Sequence, residues 1–391
     1  MRILQLAYTP LENEPPLFAL GSTLAEAGHQ VLCVGYGTTG RTGFSRVRHG
    51  YYLHRVYRPD LNRTPRLLRG AIRVANYWRG ILHLVKRWIP DLIFAHNYDV
   101  LPLALYIGAG THAPVIYYCT EYTEKPGIRE YLTGWGFLKA VEPFIVRRCP
   151  VAISVEPNRA ILQAKEWKRP IDCVILNAPK YDDRFAGRAL TQLENRSGPL
   201  RFVYAGRISE EQCIDQLVSA AMTGGFHLDL YGHVDSGFAA RFNSAMESAK
   251  ETGKHLIVYR GKVKYSELKE VLLGYDVGIC LYNAGRTNTR LAAPAKLLEY
   301  MRSGLAVLTS DQPTPSQMIN SALAGIIVDT CDADRLRAAM EYLSDLGRPG
   351  VKQFGTAGLD AFRLSLNYEA QATKLMQWVM RYDDKRTVTP F

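Results

Sequence analysis

The residues MRILQLAYTPLENEPPLFALGSTLAEAGHQVLCVGYG, positions 1–37, decide the fold. Ile3 to Tyr8 is an apolar run of strand length, Leu17 to Ala27 carries apolar residues at helical spacing and is closed by Gly28, and Val31 to Tyr36 is a second apolar run. Two strands separated by one helix make a βαβ unit, because parallel strands are joined through a crossover of a dozen residues or more. A glycine-rich turn through Gly37, Gly40 and Gly43 follows. Gly35 and Gly37 do not form a dinucleotide fingerprint, since they follow the second strand and open no helix.

The same alternation continues outward. It predicts further strands at Leu53 to Tyr57, Leu92 to His96, Val115 to Cys119, Val151 to Val155 and Cys173 to Leu176, with helices at Leu67 to Trp88, Val100 to Ala109 and Leu138 to Arg148. A polar, irregular stretch then reads as a linker over 181–199, after which a second alternation begins. Its strands are expected at Arg201 to Ala205, His227 to Tyr231, Leu256 to Tyr259, Val277 to Cys280, Ala306 to Thr309 and Gly325 to Val328. The intervening helices are expected at Cys213 to Met222, Ala239 to Glu251, Tyr265 to Leu272, Lys296 to Arg302 and Thr314 to Asn320. A chain of 391 residues exceeds what one core ordinarily holds. The expectation is α/β with two Rossmann-like, doubly wound domains, 1–180 and 200–358, facing each other across a cleft. A helical segment, 359–391, is expected to cross back to the first domain.

The formal charge of +11 is uneven: residues 1–180 hold 23 Lys and Arg against 13 Asp and Glu, and Arg41 to Arg87 holds twelve basic residues against Asp60 alone. The bland reading is a solvated face; the functional one is an anionic partner, either membrane surface, lipid phosphate or nucleic acid. Between Arg69 and Trp88 the cations are interleaved with Tyr77, Trp78 and Trp88, the mixture found on helices that lie on anionic bilayers. Its bland counterpart is a core-facing helix with a cationic outer face. No nucleic-acid module is present, so nucleic acid is not expected as a partner. The longest apolar stretch, Asp99 to Tyr118, is interrupted by Pro102, Gly108, Gly110, His112 and Pro114, so no membrane span is expected. The first residues lack the form of a secretory signal. The expected location is the cytoplasm, peripheral on the inner face of the membrane if the basic region binds it. The seven cysteines have no paired spacing and read as buried, reduced thiols.

In open parallel sheets, ligands bind beyond the carboxyl ends of the strands. There the densest cluster runs from Asn288 through Pro294 into a helix presenting Lys296 and Glu299 three residues apart. A helix N-terminus with a lysine can hold phosphate, and a carboxylate one turn deeper can accept both hydroxyls of a ribose. The bland reading is an ion pair between the two on a surface helix. Gly206 and Arg207 end the strand from Arg201, where the glycine allows close backbone approach and the guanidinium can grip a diphosphate. Gly261 to Val263 follow another strand end, where backbone groups can read a nucleobase or simply turn. In the first domain His96 and Asn97 end one strand, while Thr120, Glu121 and Glu124 follow the next. A lone strand-end histidine is more often structural than catalytic.

Taken in order, Leu24 to Val31, Pro90 to Ile93, Ile175 to Asn177, Tyr204 to Arg207, Arg260 to Val263, Tyr275 to Gly278 and Pro294 to Met301 with Gly304 and Val307 resemble the retaining glycosyltransferases of the GT-B fold, family 4. The resemblance runs over nearly the whole chain. It implies a second domain that binds a nucleoside diphosphate sugar, the donor, and a first domain that binds a saccharide or lipid-linked acceptor, with polysaccharide biosynthesis as the setting. Residue by residue, it implies Glu299 on the ribose, Arg207 on the diphosphate, Val263 on the base through its backbone, and Asn288 and Lys296 shaping the donor pocket. His96, Glu121 and Arg207 are the catalytic candidates, Gln212 joins the substrate-binding set, and neither a cofactor nor a metal ion is demanded. The sequence departs from the pattern at four places. Pro15 to Leu17 stand where many members carry a Gly-Gly loop after the first strand, Leu291 where many carry a carboxylate, Gln212 where many carry a basic residue, and Thr120 where a histidine is common. Those departures leave open a catalytically silent relative that binds without turnover.

Overall fold

The computed structural model describes the chain apart from residues 11–14, 38–42, 47–49, 62–63, 125–133, 195–196, 252–255, 293, 330 and 389–391. Gly40 of the glycine-rich turn, and Arg41, Arg48 and Arg63 of the basic stretch, lie outside the described residues. The chain forms two compact units, Met1–Asn177 with Gln371–Phe391, and Ala178–Ala370.

Unit 1 runs β1 (Arg2–Pro10), α1 (Pro15–Glu26), β2 (Gln30–Tyr36), β3 (Gly43–Arg46), β4 (Tyr52–Val56), α2 (Arg66–Val85), β5 (Leu92–His96), α3 (Leu101–Thr111), β6 (Val115–Cys119), α4 (Gly134–Ile145), β7 (Val151–Ser154), α5 (Pro157–Trp167) and β8 (Cys173–Val174). The strand order is β3-β4-β2-β1-β5-β6-β7-β8, parallel throughout except that edge strand β3 runs antiparallel to β4. The βαβ unit read from the first 37 residues is β1-α1-β2, paired from Arg2 with Gln30 to Leu6 with Val34. Gly28, at φ +89, ends α1 because only glycine enters the left-handed region without strain. Helix α2 buries Tyr77, Ile81 and Val85 against the sheet and leaves Arg79 outward, with Lys86 and Arg87 exposed just past its end. It is therefore a core-packed helix with a cationic outer face.

Unit 2 runs α6 (Asp183–Glu194), β9 (Arg201–Ala205), α7 (Ile214–Gly224), β10 (His227–Tyr231), α8 (Ala239–Glu251), β11 (Ile257–Gly261), α9 (Tyr265–Leu272), β12 (Val277–Cys280), α10 (Thr287–Arg290), α11 (Ala295–Arg302), β13 (Ala306–Ser310), α12 (Pro313–Ala322), β14 (Gly325–Val328) and α13 (Ala333–Ala361). Its all-parallel sheet has the order β11-β10-β9-β12-β13-β14, so the winding direction reverses between β9 and β12. Both doubly wound sheets expected from the alternation are present.

Two local readings differ. The stretch read as an irregular linker carries α6, whose Phe185 and Ala189 are buried with Leu273. Among its described side chains the buried apolar ones are Phe185, Ala186 and Ala189, and two of the three are alanines, which add little to an apolar stripe. Helix α13 begins at Ala333 rather than near Leu359, capped by the Asp332 carboxylate accepting from the Arg335 N–H at 2.9 Å. Gly347, at φ +63, and Pro349 break it into two helices, which hid it. At that break the Arg348 guanidinium donates to Asp276 at 2.6 Å and to the carbonyls of Ser197, Gly198 and Pro199.

The last helix, α14 (Tyr368–Val388), belongs to unit 1 from Gln371 onward. Arg386 on it pairs with Asp91 at 2.7 Å, and Lys374 donates to the Asp172 carbonyl at 2.5 Å. The seven cysteines are free thiols. Among the described residues no helix is long and apolar enough to cross a membrane.

Candidate functional site

In unit 2 the chemistry gathers where the winding reverses. Strand β9 ends in Ala205 and turns through Gly206 to Arg207, and β10 ends in Tyr231 followed by Gly232. A Cβ on Gly232 would lie 1.6 Å from the Gly206 carbonyl oxygen, so the two backbones touch because residue 232 is glycine. A Cβ on Gly206 would lie 2.7 Å from Lys296 Nζ, so the missing side chain is the space the ammonium occupies.

Lys296 sits in the first turn of α11. Its ammonium donates to the Tyr204 hydroxyl at 2.8 Å and lies 4.2 Å from the Tyr204 ring centre and 5.2 Å from that of Tyr282. The Tyr204 hydroxyl in turn donates to the Arg207 carbonyl at 2.5 Å. Among the described residues no carboxylate pairs with Lys296. Burial pushes its pKa down to about 8, and a Cys280 thiolate would oppose that shift. The result is a cation held by two aromatic faces at the sheet's switch point, with no anion of its own.

Helix α11 is fixed from behind by Tyr300. That hydroxyl accepts from the Ala205 N–H at 2.9 Å and donates to the Ile279 carbonyl at 3.2 Å, tying the helix to β9 and β12 together. The ring fits because β12 has Gly278 beneath it, where a Cβ would come within 2.2 Å.

Glu299 is 1 % exposed, and its partner is not Lys296. One oxygen accepts from the Tyr265 hydroxyl at 2.7 Å and the other from Arg302. Arg302 also lies over the Phe185 ring, 5.3 Å away, which is how α6 supports the site.

Arg207 is open to solvent and grips Asp235, its Nε 2.8 Å from both carboxylate oxygens. This pairing holds the Asp235 carboxyl below the usual range and raises Arg207. The pair lines a cavity of about 740 Å³ with Ser209, His233, Asn283 and Arg286. Gln212 is buried and accepts from the Ser209 hydroxyl, so it meets the cavity through Ser209 rather than directly. Val263 follows the turn at Gly261, at φ +79, and among the described residues neither its N–H nor its C=O has a hydrogen-bond partner. Asn288 is exposed on α10, while Leu291, which ends that helix, is buried at 8 % exposure.

In unit 1, His96 is 1 % exposed and stacks on Tyr118 at 5.2 Å. Its Nε2–H donates to Gln5 at 3.0 Å, which leaves Nδ1 as an acceptor without a partner among the described residues. Burial lowers its pKa to about 3, so the ring is neutral at any ordinary pH. Asn97, at φ +69, accepts from the N–H groups of Thr120 and Glu121 at 2.8 and 3.0 Å, locking the ends of β5 and β6 together. The Glu121 side chain is exposed beside it.

Within unit 2 the structure thus links Lys296 to the Arg207 turn through Tyr204 and Gln212 to the Arg207 cavity through Ser209, while Glu299 faces Tyr265 and Arg302 instead. It adds Tyr204, Tyr282, Tyr265, Arg302 and Asp235, which the sequence did not single out. Arg302 is three residues on from Glu299 in the same helix, but the others come from distant segments with no local pattern; an aromatic residue in a buried strand, such as Tyr204, looks like any core residue until a lysine is found over its ring.

Residues 189–358 match the family model of glycosyl transferases group 1. No curated protein matches. Among solved structures, sucrose-phosphate synthase from Thermosynechococcus elongatus is similar at a TM-score of 0.75 and 15% identity, covering 98% of this chain and 100% of that one. Anabaena Alr3699/HepE, solved in complex with UDP and glucose, has a TM-score of 0.68 at 11% identity over 97% and 99% of the two chains. WaaG, a glycosyltransferase involved in lipopolysaccharide biosynthesis, has a TM-score of 0.64 at 12% identity over 95% and 98%. The fold is that of the GT-B glycosyltransferases, and the glycosyl transferases group 1 region lies wholly within unit 2.

Proposed function

We propose that the chain is a glycosyltransferase that moves a sugar from a nucleoside diphosphate sugar to an acceptor hydroxyl with retention. The observation that carries this reading is Lys296, a cation without a carboxylate held between Tyr204 and Tyr282 at the switch point of a sheet within the glycosyl transferases group 1 region. A diphosphate supplies the missing anion. Arg207 exchanges Asp235 for a phosphate oxygen, at little cost because the pair is exposed. Glu299 takes the ribose in place of the Tyr265 hydroxyl, the free backbone groups of Val263 meet the base, and Asn288 borders the sugar.

Catalysis in this reading is electrostatic: the two cations stabilise the departing diphosphate while the acceptor hydroxyl attacks the face it leaves. No metal ion is required, so transfer should persist in a chelator. His96, through its unshared Nδ1, and Glu121 serve the acceptor side. The acceptor we favour is a lipid-linked or cell-surface saccharide, supported by the cationic face of α2. UDP and UDP-sugars are the first donors to test, because the HepE structures contain UDP and UDP-glucose.

The test is thermal unfolding of the wild type and Glu299→Gln with nucleoside diphosphates and their sugars. Glutamine keeps the shape, whereas alanine would strand Arg302. A ligand at a hundred times its dissociation constant adds about 2.7 kcal/mol, or roughly 5–10 °C for a unit of this size. One base should give that shift and the variant should lose most of it; no shift from any base ends this reading. The second reading, a silent binding relative, is favoured by Gln212 turned inward and Leu291 buried. Nucleotide binding without transfer or donor hydrolysis selects it.

A further inference from the structure

Unit 1 carries a feature that sugar transfer does not use. Two adjoining grooves of about 710 and 840 Å³ meet at Gly80 and His83 of α2, above His54 of β4. Their floor is aliphatic and aromatic, with Leu32, Tyr52, Leu84 and Trp88 in one and Val56 and Trp78 in the other. Their rim is cationic, formed by Arg79, Lys86 and Arg87.

No described residue lining either groove carries a carboxylate. Arg79, Lys86 and Arg87 form no ion pair among the described residues. The acid at one end, Asp383, faces His29 at 3.7 Å and the Met1 amino group at 3.9 Å. Apolar side chains stand open to solvent beside the grooves: Tyr52 at 42%, Tyr57 at 44% and Ile89 at 53% exposure. What sets this face apart is the combination of apolar grooves with neighbouring cations that no carboxylate offsets among the described residues.

We propose that this face binds an anionic phospholipid of a bilayer, an acyl chain lying in the groove and the phosphate on the Arg79, Lys86 and Arg87 rim. An apolar floor selects a hydrocarbon chain, and a rim of uncompensated cations selects an anionic head; one molecule satisfies both. The proposal deepens the reading of a lipid-linked acceptor, and rests on it for its purpose, by assigning the membrane contact to a defined groove.

The experiment uses the full chain with phosphatidylcholine vesicles, with or without phosphatidylglycerol, the acyl chains brominated or not. Sedimentation should occur with the anionic vesicles and not the neutral ones. Brominated chains should quench tryptophan fluorescence, and Trp78→Phe/Trp88→Phe should lose most of that quenching while still sedimenting. Arg79→Glu/Lys86→Glu/Arg87→Glu should weaken vesicle binding at least tenfold and keep both the unfolding temperature and the stabilisation by nucleotide. Loss of that stabilisation with vesicle binding intact would sink the transferase reading and leave this one standing. Equal binding to neutral vesicles, binding abolished by salt with no quenching at any stage, or preference for single-stranded nucleic acid over vesicles would overturn the proposal.

Discussion

Lys296 shows what burial does to one residue. Its folded pKa of about 8 lies below the value for a free lysine, so between the two the unfolded chain holds the extra proton. Stability therefore rises with pH through that window, and below it the charged side chain carries a constant penalty. A diphosphate reverses the preference because it favours the ammonium. We expect nucleotide affinity to be flat below pH 8 and to fall above it, by up to about tenfold per pH unit, while Lys296→Arg stays flat; calorimetric titration across pH checks this. His96 has the same sign at lower pH. The unfolded state takes up a proton below about 6.5, and the folded state resists until about 3, so unit 1 should lose stability as pH falls through that interval. His96→Gln should flatten the slope seen in acid unfolding.

Among elements, α11 decides the site, and its placement depends on a contact invisible along the chain. The sequence shows the helix, its lysine and its glutamate. It does not show that Tyr300 rather than either of them anchors the helix, or that Gly278 makes the room. Gly278→Ala should overpack that contact, cost about 1–3 kcal/mol by chemical denaturation, and weaken nucleotide binding as α11 shifts. The ion pair between Lys296 and Glu299 suggested by their spacing is absent for the same reason. Once Tyr300 points inward, Lys296 is turned toward β9 and Glu299 toward Tyr265 and Arg302.

At the scale of the molecule, two units with their own cores imply separable unfolding. Scanning calorimetry should resolve two transitions, of which nucleotide raises only that of unit 2. Arg348→Ala should lower the same one by releasing Asp276 and the carbonyls of Ser197, Gly198 and Pro199.

The sequence by itself determined the class of fold, because alternating apolar runs and amphipathic helices can bury themselves only as parallel sheets covered on both faces. It also determined which strand ends carry polar chemistry, since glycine and charge there interrupt an otherwise apolar run. Only the tertiary structure decided the partners. Asp235 for Arg207, Tyr265 for Glu299, and Tyr204 and Tyr282 for Lys296 come from segments that meet only in the folded sheet, whereas Arg302 is Glu299's neighbour one turn along the same helix. Hydrogen bonds and burial act over a few ångströms in space, whereas pattern along the chain records only neighbours in sequence.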